Sequence, residues 1–436
     1  MPAVPAVPEI DLTDPEVIRD PFTAYGTARE SAPVARVTAP GMPPMWTLTR
    51  HEDARAMLAD PRFAVTSGSF MRPDVPADCL PYMRTMSEMN GTEHARLRKL
   101  AAPAFTARRA AAFRPRIQPL VDRLLDELPG HADGGVVDLM EHFTRPLPMD
   151  VICELVGIPE ADRLRWREYG ATVAGASGQA FADAIPGIMN GAKEAVARRR
   201  AEPADDLISD LLSTQAEDGD RISVTGPGDT GLTDTALTDT ALTDTVLTDT
   251  GLTDTEIVTL IWHLVMAGQT PTNLIANAVE ALLSHPGRLA ALRADPALMP
   301  RAVEELLRWC GPALLAIPRY ALEDTELFGV PVRKGEAVTV SIAAANRDPR
   351  AFTDPDRFDV TRAAGTAGHL GFAHGPHFCL GASLARVETE VALATLLRRF
   401  PDLAFADPAG AQRAPDPGTW RLVSLPVTLK PGRSRA

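Results

Sequence analysis

Apolar residues recur at helical spacing over residues 94–128, 139–156, 185–201, 256–283 and 299–309, and each stretch predicts an amphipathic or buried helix. Short apolar runs at 45–49, 337–342 and 422–429 read as strands. Pro-rich loops join these elements, and no Gly/Ser linker divides the chain. The pattern predicts one unit over residues 1–436, mainly α with a small β part (α+β). The stretch 256–283 stands apart. It opens with Ile257, Val258, Leu260, Ile261, Trp262, Leu264, Val265 and Met266. A helix apolar on every face belongs in the middle of a large protein. Ala267, Gly268, Gln269, Thr270, Pro271 and Thr272 then interrupt it. Pro271 has no N–H, so the Ala267 carbonyl loses its helical partner. That carbonyl and the nearby hydroxyls make a polar notch for water or a ligand, unless the interruption is only a kink.

Just ahead, residues 231–255 repeat x-Leu-Thr-Asp-Thr five times. A regular Asp suggests a calcium array, but a solvated, poorly ordered loop expanded by duplication is the expectation. The last unit differs, because Thr253 and Glu256 have the spacing of a capping box. The repeat therefore reads as an insertion before a helix that would form without it.

Composition narrows the class. The chain has 436 residues, 45% hydrophobic and 23% charged, as a globular protein does. No run of 18 apolar residues predicts a membrane helix, and the N-terminus lacks the features of a signal peptide. Cys79, Cys153, Cys310 and Cys379 are too scattered for a disulfide framework. A cytoplasmic location is expected. The net charge of −13 argues against nucleic-acid binding. Against that balance, residues 95–116 hold Arg96, Arg98, Lys99, Arg108, Arg109, Arg114 and Arg116 with no acid. Such a stretch is a solvated face or a nucleic-acid patch, and the second lacks aromatic interleaving beyond Phe105 and Phe113.

The sharpest chemical signal is Phe372-Ala-His374-Gly375-Pro-His377-Phe378-Cys379-Leu380-Gly381. Leu384, Val387, Val391 and Ala394 follow at helix spacing, so Cys379 precedes a helix N-terminus, where N–H groups and the dipole favour a thiolate. A stabilised thiolate is a nucleophile or a metal ligand. An inert core cysteine is the plain alternative. A zinc site with His374 and His377 is another, though it lacks a fourth ligand.

This stretch closely resembles the haem-binding loop of the cytochrome P450 family, Phe-Gly-x-Gly-x-His-x-Cys-x-Gly followed by x-x-Leu-Ala-Arg, here Leu384, Ala385 and Arg386. Ala373 stands where the family has Gly. The resemblance runs from Asp20-Pro21-Phe22 to Leu425-Pro426-Val427, leaving out the repeat. It implies a triangular α+β fold with haem b between the helix at 256–283 and Cys379, the axial thiolate, in a loop shaped by Phe372 and Gly381. His94, Arg98, Arg319 and His377 would hold the propionates. Glu305, Arg308 and Arg357 would form a buried charged triad. The family's Ala-Gly-x-acid-Thr is matched at Ala267 and Gly268, but Thr270 replaces the acid and Pro271 the Thr. Proton delivery would then use the Ala267 carbonyl with Thr270 or Thr272. Thr272 is preferred, because Pro271 distorts the register. The implied activity is a monooxygenase that uses O2 to hydroxylate or epoxidise a largely apolar secondary metabolite. Electrons would come from ferredoxin and ferredoxin reductase, with docking on the basic stretch. The pocket would draw on 67–90, the flanks of 178–188, 313–317 and 419–422. A coupling, desaturating or peroxide-driven haem enzyme is the alternative, as is a haem sensor that never activates oxygen.

Overall fold

The computed structural model describes residues 7–70, 72–175, 178–219, 251–363, 367–407 and 410–429. Most of the 231–255 repeat lies outside them. The elements that build the site are α1 (Gly91–Ala101), α2 (Ala107–Glu127), α3 (Pro146–Val156), α4 (Arg163–Gly175), α5 (Gly178–Ala201), α6 (Asp254–Ala267), α7 (Thr270–Ser284), α8 (Met299–Cys310) and α9 (Ala382–Arg399). None of the described helices is long and apolar enough to cross a membrane.

Two predicted helices are each divided. The stretch 94–128 breaks at Pro103 into α1, a 3-10 turn and α2. The Thr106 hydroxyl restarts it by accepting the Arg109 N–H at 3.3 Å. The stretch 256–283 breaks at Gly268 and Gln269 into α6 and α7. A Cβ on Gly268 would lie 2.5 Å from the Leu264 carbonyl oxygen and 2.7 Å from Ile152 Cγ1, so only glycine fits this tight exit. Pro271 therefore sits in the first turn of α7, where its missing N–H costs nothing, and not inside a helix. The capping box of α6 is present. Glu256 N–H donates to Thr253 Oγ1 at 3.2 Å, and Thr253 N–H donates to Glu256 Oε2 at 2.8 Å.

The largest sheet has six strands: β1 (Glu9–Asp11), β2 (Val34–Ala39), β3 (Met42–Leu48), β4 (Phe63–Ala64), β5 (Arg319–Ala321) and β6 (Ala337–Val340). Their order is β1-β2-β3-β6-β5-β4. Arg319 pairs with Val338 in the antiparallel β5–β6 register, which fixes where its side chain leaves the sheet. The predicted strand at 422–429 is interrupted at Leu425.

Two apolar cores carry the helices. One joins α2, α7, α8 and α9 through residues such as Leu124, Leu282, Leu306 and Leu396. The other joins α1, α3, α4, α5 and α6 through Leu97, Val156, Trp166, Ile188 and Ile261. Leu384 belongs to the first core and Leu380 packs against the second. The loop carrying Cys379 is thus held at the seam between them. Phe372 at the other end of the loop also lies in the first core, so apolar packing holds the loop at both ends.

Candidate active site

The cysteine loop is closed on itself. The Cys379 N–H donates to the Phe372 carbonyl at 3.0 Å, and the Phe378 N–H donates to Gly375 at 3.0 Å. Ala373 at φ 58° and Gly375 at φ 74° are both left-handed. Glycine is required at 375 twice over, because a Cβ there would also lie 2.6 Å from the Leu58 carbonyl oxygen. That same carbonyl accepts from Arg319 Nη1 at 2.6 Å. The close approach at Gly375 thus brings Arg319 to the loop. Cys379 is exposed, and a Cβ on Gly381 would meet no protein atom within 4 Å. The loop therefore presents a sulfur beside open space.

Burial of the thiol's flanks raises the Cys379 pKa, opposed by the Gly381 N–H, Arg98 and Arg386. A cation bound at the sulfur would favour the thiolate. Among the described residues no three His, Cys, Asp or Glu side chains converge as metal ligands, so the zinc alternative has no ligand set.

His94 and Arg98 rise from α1 onto the loop. The His94 and His377 rings lie 4.4 Å apart, and Arg98 donates to the Phe378 carbonyl. Burial pushes Arg319 down to about 10. Burial, then His94, Arg319 and Arg98, push His377 down to about 4. His94 is lowered by burial and by Arg98. Among the described residues none of these four groups has an acidic partner. Arg319 is buried and Arg98 half-buried without a counter-ion, and the neutral rings of His94 and His377 can donate beside them, a set that suits an anion. Two carboxylates on the edge of a flat ligand, as in haem, match both the cluster and the open space beside Cys379.

On α6, Ala267 and Met266 are exposed although residues 257–262 and 265 are buried, and Met266 has 37% of its surface free. Thr270, past the break, is exposed too. Thr272 is buried, with no partner for its hydroxyl among the protein atoms. Pro271 therefore does not turn Thr272 to the open face. The break itself presents Thr270 there with Ala267.

The charged triad is present with one member changed. Glu305 accepts from Arg308 at 2.8 Å on both oxygens, from Arg362 Nε at 3.0 Å and from the Asp359 N–H at 2.9 Å. Arg357 gives only its carbonyl to Arg308 and Arg362, while its side chain reaches Asp359. The third cation is therefore Arg362, not Arg357. The sequence hides this, because a loop decides which of two arginines turns inward.

The basic stretch is less cationic than it reads. Arg96 pairs with Glu256, Arg109 with Asp210, Arg114 with Glu390 and Arg116 with Glu154. Every one of these acids comes from another part of the chain. Two further contacts escaped the sequence. Glu304 bridges α8 to α9 by accepting from His369 and Arg386. Ser87 meets His263 on α6 at 2.8 Å.

The Cytochrome P450 family model matches residues 193–412. The chain is 38% identical to the cytochrome P450 monooxygenase PikC of Streptomyces venezuelae, over 99% of this chain and 96% of that one. It is 38% identical to the mycinamicin IV hydroxylase/epoxidase of Micromonospora griseorubida, over 88% and 89%. The structure of the P450 monooxygenase TamI superposes with a TM-score of 0.81 at 32% identity, covering 98% of this chain and 95% of that one.

Proposed function

From a chain that belongs to the cytochrome P450 family and is one of its monooxygenases, we propose an enzyme that hydroxylates or epoxidises a largely apolar secondary metabolite at a haem b ligated by Cys379. The observation that carries this reading is the anion-seeking cluster of His94, Arg98, Arg319 and His377 beside an exposed cysteine in a closed loop. The haem, when bound, supplies oxygen activation, and thiolate ligation favours O–O cleavage. The chain's own residues do the rest. Cys379 ligates, and Phe372 and Gly381 shape the loop around it. The four cationic or donor groups hold the carboxylates and so set the ring's orientation. Ala267 and Thr270 hold water at the helix break through a free carbonyl and a hydroxyl. That water takes the place of a carboxylic acid in passing protons to the open face.

The substrate class follows from the side chains and the relatives. The segments expected to surround the open space are rich in Met, Leu and Ala and carry little charge. One relative acts on mycinamicin IV, which supports a secondary metabolite. A ferredoxin with its reductase, all in the cytoplasm, is the electron source in this reading. It docks near Arg108 on the cysteine side, where Arg114 on α2 meets Glu390 on α9. The functional unit is one domain, with 231–255 as an insertion.

The test is the spectrum of the reduced, carbon-monoxide-bound protein. The wild type is expected to give the thiolate-type band and Cys379→Ala to lose it. Persistence of the band in the variant overturns the ligand assignment. Substrate-dependent NADH consumption with a surrogate ferredoxin and reductase then separates an oxygenase from a haem carrier.

A further inference from the structure

His263 lies on α6 four residues before Ala267, one helical turn away on the same face. Its Nε2 meets Ser87 Oγ at 2.8 Å. Ser87 belongs to a 3-10 turn, Met86–Glu88, in the loop that crosses α6. Among the described residues the other ring nitrogen has no protein partner, and His263 lines a cavity of about 170 Å³. Met86, Met89, Leu97 and Leu260 form the apolar walls of this cavity, with Thr255 and Thr259 beside His263. Leu97 comes from α1, the helix that also carries His94 and Arg98. The cavity thus lies against α1 and α6, the two helices that carry His94, Arg98 and Ala267, toward the N-terminus of α6.

Its charged lining groups are already matched. Arg84 donates to both oxygens of Glu93 at 2.6 Å, and Glu256 is taken by Arg96 and by the Thr253 cap. The polar atoms left to a ligand are one imidazole nitrogen and two threonine hydroxyls. Such a set recognises an uncharged oxygen, and offers no counter-ion to an amine or a carboxylate. The volume is close to that of an engineered apolar cavity of about 150 Å³ that holds benzene. It takes one ring or a short chain of a larger molecule.

We propose that this cavity is a substrate subsite in which His263, oriented by Ser87, hydrogen-bonds an uncharged hydroxyl or carbonyl oxygen of the substrate while the methionines and leucines hold its carbon frame. The inference rests on the monooxygenase reading and narrows it. The substrate is an already oxygenated apolar molecule, gripped about one turn of α6 from Ala267 and so at a distance from the carbon to be oxidised. Ser87 fixes the ring whichever tautomer is present. If its hydroxyl donates to Nε2, Nδ1–H is left to donate to a carbonyl. If it accepts, Nδ1 is left to receive a hydroxyl proton. Burial pushes the His263 pKa down to about 4, so the ring is neutral at physiological pH and suits a neutral partner.

The test uses matched pairs that differ by one oxygen, cyclododecanone with cyclododecane and 4-phenylcyclohexanol with phenylcyclohexane. Affinity for the haem-loaded protein is measured by calorimetry and by the ferric Soret shift. In the wild type the oxygenated member of at least one pair should bind ten-fold or more tightly than its partner. His263→Leu should remove that preference while leaving the hydrocarbon's affinity within about three-fold, and His263→Gln should keep most of it. Ser87→Ala should lower it part-way, and it carries the test alone if His263→Leu does not load haem. An undiminished preference in His263→Leu, or in Ser87→Ala where that variant stands alone, overturns the subsite. So does a wild type with no preference in either pair, a panel that fails to bind included. Loss of the thiolate-type carbon-monoxide band in the wild type would instead overturn the monooxygenase reading, whatever calorimetry gives.

Discussion

Ala373 holds a left-handed backbone, φ 58°, in the middle of the cysteine loop. An L residue pays roughly 1–2 kcal/mol for that conformation, and glycine gives back about 0.5–1 of it through its freer unfolded chain. Ala373→Gly is therefore expected to stabilise the protein by up to about 1 kcal/mol, read as a higher urea midpoint at unchanged slope. A lower midpoint would mean that the Ala373 methyl makes contacts worth more than the strain. The two threonines at the helix break should part company in the same way. Thr270 is open and Thr272 is buried with an unpaired hydroxyl. Thr270→Val should raise the peroxide released per NADH consumed, because it removes the hydroxyl that holds water beside Ala267. Thr272→Val replaces a buried, unpaired hydroxyl by a methyl of the same shape, which is neutral or mildly stabilising. It should leave coupling within about two-fold of wild type. The reverse pattern would return the relay to Thr272.

At the scale of elements, α8 is tied to its surroundings by two adjacent glutamates with different partners. Glu305 gathers Arg308 and Arg362 in a dry setting, so Arg362→Ala should cost about 3 kcal/mol by leaving its buried charge under-compensated. Arg357→Ala should change stability by less than about 0.5 kcal/mol, because its role is filled by a backbone carbonyl. Denaturation of the two variants side by side checks the assignment. Glu304 works at the α8–α9 joint. Burial alone would raise its pKa, but hydrogen bonds from His369 and Arg386 hold it down to about 2. A carboxyl with a depressed folded-state pKa contributes stability that is complete above its unfolded value of 4.5 and is lost as pH falls toward 2. Glu304→Gln should therefore flatten the acid limb of the stability curve between those values, by an amount softened because the side chain is 44% exposed. An unchanged limb would show that the His369 and Arg386 contacts do not distinguish the charged carboxyl. These joints also mark what the sequence could disclose. The helix periods, the α6 cap, the cysteine loop and the Glu305–Arg308 pair are local patterns, set by residues within a turn of each other. The break at Gly268 is local too, but it depends on Ile152 pressing from α3. Arg362 and the acids that neutralise the basic stretch are tertiary choices, and spacing carries no trace of them. The Ser87–His263 contact joins residues 176 apart.

The whole molecule is organised around a seam between two helical cores, and this bears on the repeat. Leu252 belongs to the second core, and Thr253 with Glu256 caps α6 directly after the last repeat unit begins. Arg200 at the end of α5 donates to Asp254 at 2.7 Å, which fastens the start of α6 to a helix on the other side of the insertion. Everything needed to begin α6 is therefore encoded from residue 251 onward. Deleting residues 231–250 leaves 220–230 as the connection, and eleven residues can span up to about 36 Å. Shortening a loop by twenty residues changes its closure entropy by less than about 1 kcal/mol, since that cost grows only with the logarithm of length. The deleted protein is expected to load haem to the wild-type level, give the same carbon-monoxide spectrum and melt within about 2 °C of wild type. Ser87, His263 and the residues lining the cavity all lie outside 231–250, so preference between the matched ligand pairs should also survive. Failure to load haem would assign the repeat a structural role in seating α6. Intact haem loading with altered ligand preference would place its influence at the mouth of the cavity lined by Leu252 and Thr255.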